Sequence, residues 1–146
     1  MKIRLLLAVV GLTISFALPA LAQEQNAVDP EVRQQIEAAC KKRLDAYNKH
    51  DAAAIAAFFT QDAVWVNATG FGDALLSGQE AIKKWYEADS ATGSDLSGRI
   101  LQVYPIGSEV CAISEFTYAS HQILHAATIY VRDADEWKVR MYYVTR

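Results

Sequence analysis

Apolar residues recur at four-residue spacing through Val32, Ile36, Cys40 and Leu44, with Ala39 and Tyr47 beside them. That period predicts an amphipathic helix. Asp29-Pro30 supplies its start, because aspartate accepts from the orphan amides of a first turn and proline suits the first helical position. Glu37 with Lys41, and Asp45 with Lys49, sit one turn apart on the wet side. The helix is expected to stop at Asn48-Lys49-His50. Asp51 then caps a short second helix over Ala52 to Phe59, with Ile55, Phe58 and Phe59 as its packing face.

The pattern then changes period. Ala63-Val64-Trp65-Val66-Asn67 is short and rich in β-formers, so it reads as a strand, broken by Gly70-Phe71-Gly72-Asp73. Ser77-Gly78-Gln79-Glu80 fits a capping box that starts a third helix running to about Ala88, with Ile82, Trp85 and Tyr86 inward. Ser90 to Gly98 reads as a loop. Four β-rich runs follow: Arg99 to Tyr104, Glu109 to Tyr118, Gln122 to Arg132 and Trp137 to Thr145. Hairpin-length separators predict antiparallel pairing in sequence order. The result is an α+β fold, helices in front and a sheet behind.

The N-terminus follows a different rule. Lys2 and Arg4 precede an apolar run of 14 residues, Leu5 to Leu18, and then Pro19-Ala20-Leu21-Ala22. This is the pattern of a secretory signal cut before Gln23, and the run is shorter than the roughly 20 residues a membrane span needs. The expected organisation is a signal peptide over 1–22, a short extension over 23–28 and one domain over 29–146, in a secreted or periplasmic protein with no membrane attachment after cleavage. Without Lys2 and Arg4, 12 basic side chains face 17 acidic ones, a net charge of about −5. The basic residues are scattered, which argues against nucleic acid as a partner. Two cysteines, Cys40 and Cys111, either bridge a loop of 71 residues or remain separate buried thiols. With no CxxC pair, no metal site is expected, and no cofactor.

The ordered set Asp51-Ala52-Ala53-Ala54-Ile55-Ala56-Ala57-Phe58-Phe59, Asp62-Ala63-Val64-Trp65, Gly78-Gln79-Glu80-Ala81-Ile82 and Trp137-Lys138-Val139-Arg140-Met141 resembles the NTF2-like superfamily, in particular its SnoaL-like and ketosteroid-isomerase-like domains. The resemblance implies a cystatin-like cone: N-terminal helices packed on a curved, mostly antiparallel sheet, an apolar pocket at the wide end, and often a homodimer. Function transfers less readily, since the family hosts isomerases, cyclases, dehydratases, hydrolases and binding domains. In the steroid isomerases an aspartate takes the proton while a tyrosine and a protonated aspartic acid hold the oxyanion. Here the resemblance puts Asn67 at the base position, Arg43 near the tyrosine and Ala127 near the second acid. An amide cannot accept the proton.

His125 is then the best remaining acid or base, if strand parity follows the family and turns His125, Ala127 and Ile129 to the pocket. A half-buried histidine bonded to backbone is the alternative. His121 and His125, four apart on a strand, span about 13 Å and cannot share an ion. Arg43 either holds a carboxylate ligand bidentately or snorkels to water. Tyr143 is the electrophilic partner considered beside His125. The expected pocket wall comprises Trp65, Asn67, Arg43, Phe58, Trp85, Tyr104, Phe116, His125 and Tyr143, suited to a flat or hydrophobic organic molecule. Three functions compete: binding of a small hydrophobic molecule, acid–base catalysis through His125, and a dimeric assembly module with a vestigial pocket. Leu124, Tyr130, Tyr142 and Val144 are expected on the outer sheet face, where they would form a homodimer interface.

Overall fold

The computed structural model describes residues 28–70, 74–89 and 95–146. The expected signal peptide over 1–22, most of the extension to 28, residues 71–73 of the expected break and residues 90–94 of the expected loop lie outside the described residues. The rest of that loop is corrected, since Leu96, Ser97 and Gly98 already pair as strand with Tyr118, Thr117 and Phe116 of the Glu109 to Tyr118 run. Helix α1 spans Pro30–Asn48, and the Asp29 carboxylate accepts from the Glu31 amide at 2.7 Å. Its buried stripe is Ile36, Cys40, Arg43 and Ala46, so Arg43 rather than Leu44 takes the centre of the inner face. The 3.6-residue period explains the shift, because a strict four-residue stripe drifts around the helix. Asp51 accepts from Ala54 N at 2.9 Å and starts α2, Ala52–Ala57.

Strand β1 spans Phe59–Ala68, β2 Ala74–Ser77, α3 Gln79–Asp89, β3 Leu96–Ile106, β4 Glu109–Tyr118, β5 Ile123–Asp133 and β6 Glu136–Thr145. The described strands form one curved, unclosed sheet in the order β2-β1-β6-β5-β4-β3. The β1–β6 pair is parallel and the other neighbours are antiparallel. This is the expected α+β, NTF2-like, cystatin-like architecture, with the three helices over the concave face. Strand β2 is an addition: four residues pair back on β1 from Val64↔Ser77 to Asn67↔Ala74, too short a run to stand out as a strand. Because β2 includes Ser77, α3 begins at Gln79 behind Gly78, one residue later than a Ser77 cap requires.

Side-chain clamps fix the helices over the sheet. Asn48 at the end of α1 donates to Leu96 O at 2.9 Å and accepts from Leu96 N at 2.8 Å. Gln79 donates to the carbonyls of Ala56 and Phe59, both at 3.0 Å, holding α3 against the exit of α2. Trp137 Nε1 donates to Gln35 at 2.8 Å and ties β6 to α1.

Two bulges decide which residues face inward. In β6, Ile129 pairs with Met141 but Tyr130 pairs with Val139, so Arg140 is an extra residue. In β3, Ile100 pairs with Ser114 and Gln102 with Ile113, so Leu101 is extra. Each extra residue shifts the alternation by one and turns every later side chain to the other face. Val139 points inward before the β6 bulge; Tyr142 and Val144 do so after it.

The expected outer face is therefore corrected. Leu124, Tyr130, Tyr142 and Val144 are buried beneath the helices. The convex face instead presents Ile123, Met141 and Tyr143, 48%, 41% and 38% exposed. The cysteine alternatives resolve as two free thiols: Cys40 is buried on α1 under the concave face, and Cys111 belongs to the outward set of β4. The sheet stands between them.

Candidate functional site

One cavity opens between the helices and the concave face, with a volume of about 100 Å³. Helix α1 contributes Arg43, Leu44 and Tyr47; β1 and its exit contribute Trp65, Asn67 and Thr69; α3 contributes Trp85 and Tyr86. Ile55, Leu96, Phe116, Tyr118, Leu124, Tyr142 and Val144 complete the lining. Register accounts for the grouping: Trp65 lies beside Tyr142 and Asn67 beside Val144 on the parallel pair, and Phe116 is opposite both Leu124 and Gly98.

Aromatic rings make most of the wall. Trp65 stacks on Tyr86 with centroids 5.1 Å apart, and Trp85 meets Trp65 edge-on at 4.3 Å. Tyr47 adds an edge contact to Tyr86 at 6.2 Å. Such offset and T-shaped contacts are the favoured arrangements of aromatic quadrupoles. Gly98 is required by this packing, since a Cβ there would come within 2.2 Å of the buried Phe116 ring. Asn67 is buried and accepts from the Thr69 amide at 3.2 Å, which fixes its carboxamide at the end of β1.

Arg43 is the one charged side chain in the described lining, and it is buried. Its guanidinium carbon lies 4.3 Å from the Tyr142 ring centroid and 5.8 Å from that of Phe116. Burial works against its charge, and the surrounding Tyr142, Tyr130, Tyr86 and Cys40 outweigh that effect, so its pKa stands above the ordinary guanidinium value. Burial pushes the Tyr142 and Tyr130 phenols up, against the pull of Arg43.

Residues 41–145 match the SnoaL-like domain family. The chain belongs to that family. Solved structures share the fold. A ketosteroid isomerase-like protein from Erwinia carotovora atroseptica SCRI1043 is 22% identical, with 80% of this chain and 97% of that one covered and a TM-score of 0.65. A domain of unknown function with a cystatin-like fold from Nostoc punctiforme PCC 73102 is 15% identical, covering 82% and 79%, with a TM-score of 0.69. An NTF2-like protein of unknown function from Pseudomonas putida KT2440 is 15% identical, covering 82% and 89%, with a TM-score of 0.65. No curated protein matches the sequence.

Within this SnoaL-like domain, Arg43, Trp65, Asn67, Trp85 and Phe116 come together as expected from the sequence, whereas four other expected residues do not join them. His125 pairs with Glu115 in register on the outward set of β4 and β5, its Nε2 3.8 Å from Glu115 Oε2. It therefore lies on the opposite sheet face from Asn67. The parity assumption fails on β5, where Leu124, Ala126, Thr128 and Tyr130 are the inward residues, and Ala127 turns outward with His125. Tyr143 is turned outward by the Arg140 bulge and Tyr104 by the Leu101 bulge. Phe58 ends α2 on the other side of α1, in a shallow groove with Gln35 and Trp137.

Sequence reasoning missed Tyr142, Tyr86, Tyr47 and Thr69 as wall residues. Tyr47 carried a usable signal, since it is one helical turn from Arg43. Tyr142 carried none without the bulge.

Proposed function

We propose that this SnoaL-like domain binds a small hydrophobic organic molecule in its conical pocket. The supporting observation is the cavity itself: the rings that wall it pack closely against one another, yet about 100 Å³ stays open between them. Well-packed interiors keep few voids larger than a water molecule, and an apolar cavity of about 150 Å³ accepts benzene. The described lining holds no Asp, Glu, His, Lys or Cys, which favours binding over proton transfer. The catalytic alternative through His125 loses its geometric basis on the convex face.

Native mass spectrometry of the protein purified from its own host tests this reading. A retained low-mass molecule is expected. A bare chain whose melting temperature does not respond to a panel of small hydrophobic compounds would overturn it. The domain is also expected to lack turnover of a 3-oxo-Δ5 steroid, because Asn67 offers no base and a positioned base is worth about 10²- to 10⁴-fold in rate. Measurable turnover by the wild type would refute the assignment of Asn67.

Export and pairing belong to the same proposal. The leader pattern supports a mature chain starting at Gln23 in the periplasm or outside the cell, checked by its intact mass. The convex rows Met141–Ile129–Cys111–Tyr104 and Tyr143–Ala127–Ile113 support a homodimer through that face. Sedimentation at micromolar concentration checks it.

A further inference from the structure

We propose that the ligand of this pocket is a small organic carboxylate whose oxygens seat on the Arg43 guanidinium; the inference rests on the binding function above and names its chemical class. Arg43 is only 6% exposed, and its Nε, fully shielded from solvent, has no hydrogen-bond acceptor. None of the ion pairs among the described residues includes it. Guanidinium stays protonated in proteins, so the pocket holds a fixed positive charge without a counter-ion among the described residues.

Burying an unpaired ion is among the costliest arrangements a protein interior contains. The Tyr142 and Phe116 rings offset part of that cost through their faces. Tyr142 also makes a side-chain hydrogen bond with Arg43, but Nε is left without an acceptor, and the guanidinium edge that carries it matches a carboxylate bidentately. A second unfilled donor lies nearby. The buried Trp65 Nε1 also lacks an acceptor, and both Trp65 and Arg43 contact Tyr142. Two unfilled donors, no acidic side chain in the described lining and a wall of rings call for a guest that brings acceptors and negative charge on an apolar body. The volume is below the roughly 150 Å³ that encloses benzene, so it limits the enclosed part of that body to a short chain or part of one ring, with the remainder at the open mouth.

The test compares benzoate with nitrobenzene, its neutral counterpart of the same shape, by titration calorimetry on the wild type and Arg43→Met. Wild type is expected to bind benzoate at least about tenfold more tightly than nitrobenzene. In Arg43→Met, benzoate should weaken by at least about tenfold while nitrobenzene changes less than about threefold. The Arg43 Nε–H resonance of the wild type should move on adding benzoate, a readout that needs no variant.

Equal affinity for the two probes would overturn the carboxylate inference and leave the hydrophobic pocket standing. Benzoate binding that leaves the Arg43 resonance unmoved would overturn it as well. Binding of neither probe up to about 10 mM would overturn both the inference and the pocket's binding role.

Discussion

On the convex face, Arg99 reaches across to Glu115 at 3.0 Å and His125 approaches the other oxygen of the same carboxylate, all in partial or full contact with water. On the concave face, one sheet thickness away, Arg43 has rings around it and no carboxylate among the described residues. The two arginines differ in what their surroundings ask of them. Solvent and a flexible partner satisfy Arg99, and its loss would be hardly noticed. Arg43 has been given neither, so its charge is explained by something outside the chain. A titratable cluster such as Arg99–Glu115–His125 attracts attention because its members are close, but the lone buried charge is the more informative feature.

The contrast can be broken or sharpened by substitution. The largest effect is expected for Trp65→Ala, which removes the ring shared by Trp85, Tyr86 and Tyr142. Truncating such a buried aromatic costs about 3–5 kcal/mol in denaturant unfolding. Tyr143→Ala, on the other face, should cost less than about 1 kcal/mol when measured on the monomer. Comparable losses for the two would mean that the faces are not energetically distinct. Gly98→Ala comes next, at about 1–3 kcal/mol, because the new methyl group collides with the buried Phe116 ring and the ring or the strand has to shift. Urea midpoints check it, and a neutral result would show that the wall is softer than its geometry. The smallest effect belongs to Glu115→Gln, within about 0.5 kcal/mol at physiological salt. Ligand affinity should also stay unchanged in that variant, whereas a clear loss would connect the convex cluster to the pocket.

The first two helix starts were legible because capping is local: Asp29 and Asp51 each satisfy an amide two or three residues away. Strand runs and their antiparallel order were legible for a similar reason, since hairpin separators are short. What the faces carry was not legible. Strands β5 and β6 are apolar on both sides, with Ile123 beside Leu124 and Tyr142 beside Tyr143, so alternation gives no sign of which set is buried. The Arg140 and Leu101 bulges then shift the phase midway along β6 and β3 through pairing with another strand, which no local pattern announces. Asn67 and Trp65 were placed correctly because β1 keeps one phase inward from Ala63 to Asn67. Arg43 was ambiguous from sequence, as an arginine at the edge of an apolar stripe packs inward or reaches water depending on how far the stripe has rotated by that turn.

The parallel pairing of β1 with β6 has a consequence for the order of assembly. Strands β3 to β6 are joined by tight turns and can form a meander from nearby residues, while Trp65 meets Tyr142 only after most of the domain has been threaded between them. Long loop closures are slow, and contacts distant in sequence form late. A chain emerging from the ribosome cannot join β1 to the rest of this sheet until β6 is free. Since Trp65 and Tyr142 are also neighbouring parts of the cavity wall, the pocket comes into existence in that same step. A small molecule that fits it would then act on the final docking event, slowing its reversal without accelerating the earlier stages.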